Sequence, residues 1–494
     1  MNFNIGKRVK SMIQGWLEIM PAVNQTIVLQ EKLPREIEIL RSQLWYRGDS
    51  FELHQFFTQL GIKSGGFWSS VPNTNKVRKI HSGLPAIIAD TLAYIVYSDM
   101  DDLKFNSKGE NEWNEITDND KGNFVFTQLI CKAIIYTLVD GDGAFKISVD
   151  DDLSSYPIVE FVGADNVDYI YSRGILKEVI FKSTYKQKSS VYQLEEHYGK
   201  GYIESHLYNR NGKEKSLDTV PELKGISPLV EFDGDYIMAV PLKFYASTKY
   251  SNRGKSIFDG GKSDCFDALD EVISQWWDAI RAGRVSKYIP ADKIPRNPDN
   301  GDLRRVNSFG TEFIELSPSL GDDKSSSKIE VVQPDIKYDA FVSSYTNCLL
   351  MCLQGLVSPA TLGIDVGKMQ SADAQREKKD VTGNTRNTIT TALEKAIPQL
   401  VSAILKTYDN MQEKAPQEYD VTVSFGEYGA PDFDSRVETI GKASTYGIMS
   451  VKTQVDELWG SSKEDDWKKS EVERIKQEKG LIEGEPPAVG DELA

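Results

Sequence analysis

Two helix-forming segments in the middle of the chain enclose a short stretch that is rich in turn-forming residues. In the first segment, 264–283, apolar residues recur at steps of three and four, which is typical of one face of an amphipathic helix. The second predicted helix covers 335–356, and the stretch between them contains two strand-like runs, 312–316 and 328–332. Because a short connection keeps neighbouring elements adjacent, we expect two helices lying side by side with a small β unit at one tip.

The region before this unit predicts a mixture of helix and sheet. Apolar helical patterns occur at 34–45, 84–96 and 124–139. Six short aromatic and β-branched runs follow and predict an antiparallel meander: 144–149, 157–162, 169–171, 176–185, 191–198 and 201–208. The sequence Asn-Arg-Asn-Gly at 209–212 predicts a turn at the end of this region.

The region after the paired helices is first irregular and then strongly helical. Residues 357–370 contain Pro359, Gly363 and Gly367 and fit neither a helical nor a strand period. The next 41 residues, 371–411, predict a helix of about 60 Å. Gly383 and Pro398 interrupt this pattern, and we expect a bend near Pro398 because proline lacks the backbone donor.

The chain ends in a strand, short acidic helices and a tail. The strand is predicted at 419–425. Helical patterns follow at 433–446, 451–459 and 464–480. Residues 481–494 combine two prolines with acidic residues and are predicted to be disordered.

Composition is that of a soluble protein with room for two to four structural units. The 494 residues are 40% hydrophobic and 27% charged. No window reaches 18 uninterrupted apolar residues, and no apolar core follows the basic N-terminal residues, so neither a membrane span nor a signal peptide is predicted. Four scattered cysteines indicate buried thiols in a reducing compartment.

The formal net charge of −16 has two interpretations. A protein that holds duplex DNA statically usually presents a basic face, so the acidity indicates either plain solubility or a surface that tolerates DNA without gripping it. The charge is also uneven. Residues 281–310 hold seven bases against three acids, whereas 411–494 hold ten bases against nineteen acids. The middle and the end of the chain are therefore expected to meet different neighbours.

Several short motifs suggest chemistry that their surroundings do not support. Gly260-Gly-Lys-Ser263 lacks the first glycine of a phosphate loop, because that position holds Ser256, and a helix-entry turn is the better interpretation. The calcium-loop spacing fails at Asp140-Gly-Asp142, where Phe145 replaces the required glycine, so we interpret this stretch as a hairpin turn. The four histidines are isolated from one another and from the cysteines, so no metal, cofactor or catalytic residue is predicted.

Three segments resemble the portal proteins of tailed bacteriophages, in particular the siphovirus-type family of phages that infect Gram-positive bacteria. The first runs from Phe67-Trp-Ser to Arg78-Lys-Ile-His-Ser-Gly-Leu-Pro85. The second includes Asp267-Ala-Leu-Asp-Glu271 and Ser274-Gln-Trp-Trp-Asp278. The third includes Ser358-Pro-Ala-Thr-Leu-Gly-Ile-Asp365 and Thr385-Arg-Asn387. The order of elements is similar along nearly the whole chain.

The resemblance implies an α+β portal fold: an α/β wing, a two-helix stem, a small β-containing clip, a long kinked wing helix and a helical crown, assembled as a ring. Mapped onto this sequence, it implies the following divisions: wing 1–255 with its β part at about 144–210, first stem helix 256–283, clip 284–334, second stem helix 335–356, tunnel loop 357–370, long wing helix and wing strand 371–430, crown 431–480 and a disordered acidic tail 481–494.

The resemblance also suggests where DNA or partners bind, although the residues leave alternatives open. In the tunnel loop, Asp365, Lys368 and Gln370 are candidates for DNA contact, or Lys368 simply hydrates the loop or pairs with a neighbouring subunit. The clip bases are candidates for contact with DNA or an acidic partner, or for salt bridges between subunits: Arg284, Lys287, Arg296, Arg304 and Arg305.

The function implied is a non-enzymatic DNA conduit at one capsid vertex. The expected partners are further copies of the chain in a ring, usually of twelve, double-stranded DNA, the terminase large subunit, a head–tail adaptor, and the major capsid and scaffolding proteins, without a membrane. The expected location is the virion, and the host cytoplasm during assembly. The alternatives are another virion structural protein, such as a minor head protein, or a nucleotide-dependent packaging enzyme.

Overall fold

The fold was obtained as a computed structural model that describes residues 33–59, 66–70, 77–117, 125–187, 190–283, 286–290, 313–316, 330–332, 334–364, 372–426, 433–460, 463 and 465–478. Within these residues the first half consists of helices followed by a run of strands, and helices predominate in the second half. The helices are α1 (Arg35–Arg47), α2 (Ser50–Gln59), α3 (Leu84–Ser98), α4 (Glu110–Thr117), α5 (Phe126–Asp140), α6 (Lys262–Ala282), α7 (Tyr338–Leu353), α8 (Ala372–Met411), α9 (Phe433–Thr445), α10 (Val451–Trp459) and α11 (Asp465–Glu478). The helices predicted around residues 34–45, 84–96, 124–139, 264–283 and 335–356 are confirmed within a few residues.

The main core lies between α1, α3 and α5 on one side and a three-stranded sheet on the other. This sheet has the order β10-β2-β3, with β2 (Asp142–Ser148) in the middle of β3 (Ile158–Gly163) and β10 (Ala239–Lys243). Trp45, Ile88, Ile130 and Phe145 are fully buried in this core. Helix α8 packs on β10 and contributes a continuous apolar face, so the chain returns to its N-terminal core after the central unit.

The predicted antiparallel meander is present, but with different membership. Five strands form it in sequence order: β4 (Val167–Ser172), β5 (Ile175–Gln187), β6 (Ser190–Gly199), β7 (Tyr202–Asn209) and β8 (Glu214–Lys215). A further strand, β9 (Leu229–Glu231), pairs with the first residues of β7. The first two predicted strands instead form β2 and β3 of the other sheet. The predicted turn at 209–212 connects β7 and β8, where Gly212 N–H donates to the carbonyl of Asn209 at 2.8 Å.

The described residues between α6 and α7 form three strands, whereas two were predicted. The two predicted runs form β12 (Phe313–Leu316) and β13 (Glu330–Val332), and the prediction missed β11 (Ser286–Pro290). Strand β11 is central to this sheet: it pairs in parallel with β12 and antiparallel with β13. A helix, a small sheet and a second helix therefore follow one another, as the sequence predicts.

The second half of the chain departs from the sequence predictions in detail. Helix α8 runs through Gly383 and Pro398 without a break, so the predicted interruptions do not divide it, and the bend at Pro398 stays a prediction. The predicted strand at 419–425 is reduced to β14 (Val421–Thr422), which pairs with β1 (Lys104–Phe105). The three acidic helices are confirmed as α9, α10 and α11, whereas the tail at 481–494 lies outside the described residues.

One predicted turn has a different role. The sequence predicts a hairpin turn at 140–143, but this prediction is wrong, because Asp140 is the last residue of α5 and Asp142 is the first residue of β2. Gly141, with φ of 101°, ends the helix and turns the chain into the strand. The error arises because helix ends and tight hairpins both favour glycine with a positive φ. Among the described residues, no helix is both long and apolar enough to cross a membrane.

Candidate functional site: the paired helices and their anchors

Helices α6 and α7 lie side by side and run in opposite directions. At one end, the Nζ of Lys262 at the start of α6 donates to the carbonyls of Met351 and Gln354 at the end of α7, at 2.8 and 2.7 Å. At the other end, a Cβ added to Gly283 would lie 2.6 Å from Ile336 Cδ1, so the close approach of the two segments there requires a residue without a side chain. The predicted side-by-side arrangement is confirmed.

Aromatic side chains fill the contact between the two helices in their distal halves. The ring of Trp276 on α6 is stacked nearly parallel to that of Phe341 on α7, with 6.1 Å between centroids. Tyr338 and Tyr345 contact the same indole at 6.0 and 6.4 Å. Such ring pairs stabilise an interface by about 0.5–1.5 kcal/mol beyond the area they bury. The pair is therefore held together by its own side chains in this half.

The same half exposes large apolar side chains to solvent. Trp277 is 55% exposed and Tyr338 is 60% exposed, and Ile280 lies one turn beyond Trp277 with 44% exposure. Met351 near the other end of α7 is 54% exposed. Single exposed apolar residues are common, but a group of them on one pair of helices indicates a surface that another protein surface covers.

The proximal half of α6 is anchored by a segment that we call the strap, residues 66–70 and 77–83. The backbone N–H groups of Phe67 and Trp68 donate to the carboxylate of Asp267 at 2.6 and 2.9 Å. Burial raises the pKa of the Asp267 carboxyl, and the two N–H donors act in the opposite direction. Nearly 200 residues separate the strap from α6, so these bonds fix one distant part of the chain to another.

Asp270 is the centre of the strap contact and is fully buried. Its carboxylate accepts three hydrogen bonds: from Trp68 Nε1 at 3.0 Å, from the backbone N–H of Ser82 at 2.8 Å, and from the ring of His81, whose Nδ1 lies 2.7 Å away. One turn later on α6, the hydroxyl of Ser274 accepts from the backbone N–H of Ile80 at 2.9 Å. A buried carboxylate is stable only with such partners, so strap and helix specify each other.

Lys79 stabilises the conformation of the strap through hydrogen bonds within the strap. Its ammonium donates to the carbonyls of Phe67, Trp68 and Ser70, at 2.7, 3.1 and 2.9 Å. Burial lowers the pKa of Lys79, which the nearby Asp267 carboxylate partly offsets. The ammonium therefore joins the two parts of the strap, because it bonds to carbonyls of 67–70 from a position at 79.

A second set of polar contacts joins the end of α7 to α8. The backbone N–H of Ser358 donates to the hydroxyl of Thr382 at 2.9 Å, and the hydroxyl of Thr385 donates to the carbonyl of Leu356 at 2.7 Å. Arg386 pairs with Asp99 at 3.0 Å and is almost fully buried. The segment after α7 is thus fixed to α8 from Leu356 to Thr361, and Pro359–Leu362 form one short 3₁₀ turn.

Most of the residues singled out for DNA or partner contact lie outside the described residues. This applies to Asp365, Lys368 and Gln370 after α7, and to Arg284, Arg296, Arg304 and Arg305 in the insert. Lys287 lies on β11, where its Cα is paired with Phe313 of β12 and Val331 of β13. These candidate contacts therefore stay predictions.

Sequence reasoning missed the strap contact, although its residues were in view. The strap and Asp267-Ala-Leu-Asp-Glu271 belong to two of the three segments that resemble portal proteins, and the structure brings them together. The third segment supplies the contacts between 356–361 and α8. Polar residues in these runs were the available signal, because short polar side chains in apolar helices often bond to backbone groups elsewhere.

The glycine-lysine motif has a structural role. Gly261, with φ of 88°, precedes the first turn of α6, and Lys262 bonds to carbonyls of α7, which confirms the helix-entry interpretation. The prediction of buried thiols holds for only one member of the cysteine pair on α7, because Cys352 is buried whereas Cys348 is partly exposed. Burial and the neighbouring Cys265 raise the pKa of the buried Cys352 thiol to about 12. Within the part of the chain that the structure describes, no group of three or more His, Cys, Asp or Glu side chains is arranged to hold a metal ion.

Comparison with known proteins identifies one family and 71 similar chains among solved structures, two of which are described below. The family described as "Phage portal protein, SPP1 Gp6-like" matches residues 36–484, which is most of the chain. The structure titled "Neck of empty GTA particle computed with C6 symmetry" is similar with a TM-score of 0.41 and 11% identity, over 85% of this chain and 91% of that chain. The structure titled "Neck of native GTA particle computed with C12 symmetry" has a TM-score of 0.39 and 11% identity, over 76% and 89%. No curated protein sequence matches the chain.

Proposed function

The chain belongs to the SPP1 Gp6-like family of phage portal proteins, and from that premise we propose that α6 and α7 are the stem helices that line a channel for double-stranded DNA. A portal protein is a structural component of the virion and not an enzyme, and it acts as a homo-oligomeric ring. The family match therefore decides between the three classes that the sequence left open. It excludes the packaging enzyme and the minor head protein as the main function.

The observation that carries the stem proposal is the contrast within the helix pair. Its proximal end is fixed to the rest of the subunit through Asp267, Asp270 and Ser274. Its distal end exposes Trp277 and Ile280, which a neighbouring subunit would cover in a closed ring. A channel wall requires both properties, because each helix pair must keep a fixed direction and must also seal against the next one.

The insert between the helices would be the clip, and the segment after α7 would be the tunnel loop. The clip, 284–334, would project from the tip of the stem and bind the terminase and later the head–tail adaptor through Arg284, Lys287, Arg296, Arg304 and Arg305. The excess of bases over acids at 281–310 supports binding to an acidic surface. Asp365, Lys368 and Gln370 in the tunnel loop would contact the DNA transiently.

The remaining divisions follow the same proposal. Residues 1–255 and 371–430 would form the wing, and 431–480 would form the crown. We propose twelve subunits, with capsid and scaffolding proteins as further partners and assembly in the host cytoplasm. The net charge of −16 supports a conduit that does not hold the DNA, since every tight phosphate contact would slow its passage.

Deleting 365–370 tests the tunnel-loop proposal, because both flanking helices have their own anchors. We expect rings to assemble as before and packaged genomes to be lost or shortened, measured as DNA content of purified heads. Full-length packaging by rings of this variant would contradict the proposal.

A second variant tests the clip proposal. Arg304→Glu combined with Arg305→Glu should weaken terminase binding without affecting ring closure.

A further inference from the structure

A cleft of about 870 Å³ lies between elements of the N-terminal part of the chain. Helix α1, helix α5 and strand β3 form its walls, together with the turn 164–166. Its lining includes Gln43, Tyr136, Asp140, Gly163 and Asp165. Nothing in the portal function described above uses this cleft.

The deepest polar group of the cleft is the carboxylate of Asp140. This side chain closes α5 and is 7% exposed. Bonds from the Gln43 side chain and the backbone of Ala164 favour its charged form, yet its Oδ2 atom has no hydrogen-bond partner. A buried carboxylate oxygen without a partner is costly, so this atom indicates a missing cation or proton.

The carboxylate of Asp165 lies near that of Asp140, with Gly163 next to both. A Cβ added to Gly163 would lie 2.6 Å from Asp140 Oδ2 and 3.1 Å from Asp165 Oδ1. Both oxygens therefore face the space that any other residue would fill with its side chain. Asp165 itself is exposed on the rim, so this space opens to solvent through the cleft.

The neighbouring carboxylate of Asp142 differs from that of Asp140, because both of its oxygens have hydrogen-bond partners. Its Oδ1 atom accepts from Arg253 Nη2 at 2.8 Å, and its Oδ2 atom accepts from the backbone N–H of Gly254 at 2.6 Å. Among the described residues, no basic side chain compensates the Oδ2 atom of Asp140 in this way. The basic residues of the cleft have other contacts, since Arg47 pairs with Glu52 at 3.4 Å and the ammonium of Lys132 lies 5.5 Å from the Tyr136 ring centre.

We propose that Asp140 and Asp165 bind a hard divalent cation, Mg²⁺ or Ca²⁺, at the floor of this cleft. Carboxylate oxygens are the ligands that these cations prefer. The described residues offer no third carboxylate, thiolate or imidazole in reach of one ion, so water would complete the coordination. Mg²⁺ keeps several waters and needs only one or two carboxylates, and we therefore expect it to bind in preference to Ca²⁺.

The proton is the competitor of the cation. Burial, and secondarily the negative charge of Asp165, raises the pKa of Asp140 to about 7, while Asp142 adds a smaller contribution of the same sign. Glu160, Arg47 and Lys132 are the other charged groups that line the cleft. Because a protonated carboxyl is a poor ligand, cation binding should be weaker at pH 6 than at pH 8.

The test is titration of the full-length purified protein with MgCl₂ and with CaCl₂ at constant ionic strength, followed by calorimetry and by the unfolding temperature. We expect saturable binding and a higher unfolding temperature for the wild type. Asp140→Asn and Asp165→Asn should each weaken binding at least tenfold. Glu160→Gln is the matched control, because this carboxylate lines the same cleft but does not face Gly163, and it should bind like the wild type.

Terbium gives a readout that does not depend on stability. The Cδ1 atom of Tyr136 lies 3.1 Å from the position of a Cβ on Gly163, so light absorbed by this ring should sensitise Tb³⁺ luminescence, and Mg²⁺ should displace the ion. If Asp165→Asn, an exposed change that the fold tolerates, binds both ions as the wild type does, the proposal is overturned. Unfolding temperatures that respond to pH but to neither cation would also overturn it, in favour of a proton shared by the two carboxyls. Ring assembly serves as a separate control, since it reports on the portal function alone.

Discussion

The two halves of the α6–α7 pair are held in opposite ways. The proximal half is fixed by buried polar groups: Asp270 and Ser274 bond to the strap, and Lys262 bonds to the end of α7. The distal half is held by aromatic stacking around Trp276 and leaves the adjacent Trp277 more than half exposed. Polar contacts with directional geometry thus set where the pair points, and apolar contacts without such geometry hold its far end together.

The proximal half therefore fixes the direction of the helix pair, whereas the distal half offers a contact surface that can adapt to a neighbour. Hydrogen bonds to buried carboxylates require one geometry and become costly when any partner is missing. Apolar surfaces tolerate small shifts, which is useful where identical subunits must close a ring. The contrast predicts that substitutions at the proximal end destabilise the subunit, whereas substitutions at the distal surface affect assembly.

Replacing the central carboxylate should have the largest effect. Asp270→Ala removes the acceptor of three hydrogen bonds, from Trp68, His81 and Ser82, and leaves their donors buried without partners. We expect the free energy of unfolding to fall by about 3–5 kcal/mol. Urea unfolding of the purified subunit measures this change.

The matched control for Asp270 is Glu271, the next residue on the same helix. Among the described residues, it accepts one hydrogen bond, from the side chain of Gln275, and this bond is exposed to solvent. Glu271→Ala should cost no more than about 0.5 kcal/mol. If both variants lost the same free energy of unfolding, the proximal anchor would not depend on the buried carboxylate, and the contrast between the two halves would be wrong.

The adjacent tryptophans separate stability from assembly. Trp276→Ala removes the ring that stacks on Phe341 and should cost about 2 kcal/mol of subunit stability. Trp277→Ala removes a mostly exposed ring and should change subunit stability by less than about 0.5 kcal/mol, while it weakens ring assembly about tenfold. Unfolding of dissociated subunits and mass photometry of rings measure the two effects. Normal ring formation by Trp277→Ala would contradict the proposed role of the exposed face.

Lys262 should give the smallest effect of the three sites. Lys262→Met removes two bonds to the carbonyls of Met351 and Gln354 and keeps the aliphatic part of the side chain. We expect a loss of about 1 kcal/mol in thermal or urea unfolding, compared with no change for Lys224→Met on the exposed surface. A larger loss than that of Asp270→Ala would reverse the order of the two proximal contacts.

The sequence predicts the elements of the pair but not its anchors. Apolar residues at steps of three and four identify α6 within two residues at its start, and the turn-rich insert predicts that α6 and α7 lie side by side. Strand β11 was missed because Ser-Lys-Tyr-Ile-Pro is short and has no clear alternation. The strap contacts could not be predicted, because a bond from Ser82 to Asp270 depends on packing between residues 188 positions apart.

Two further predictions from local sequence differ from the structure: the hairpin at Gly141 and the length of the strand at 419–425. Gly141 suggested a hairpin, whereas the glycine ends α5 and places Asp140 in the cleft. The strand predicted at 419–425 is only two residues long, because just Val421 and Thr422 pair with β1. In both cases the tertiary neighbour, which one sequence does not reveal, decides the outcome.

We propose that α6 and α7 of each subunit form the wall of an axial channel, with Trp277 against the neighbouring subunit. Electron cryomicroscopy of the assembled protein, at a resolution that separates helices, tests this directly. We predict a closed ring whose central hole is lined by residues 262–282 and 338–353. A ring whose hole is lined by the meander strands, or an assembly without a central hole, would contradict the account.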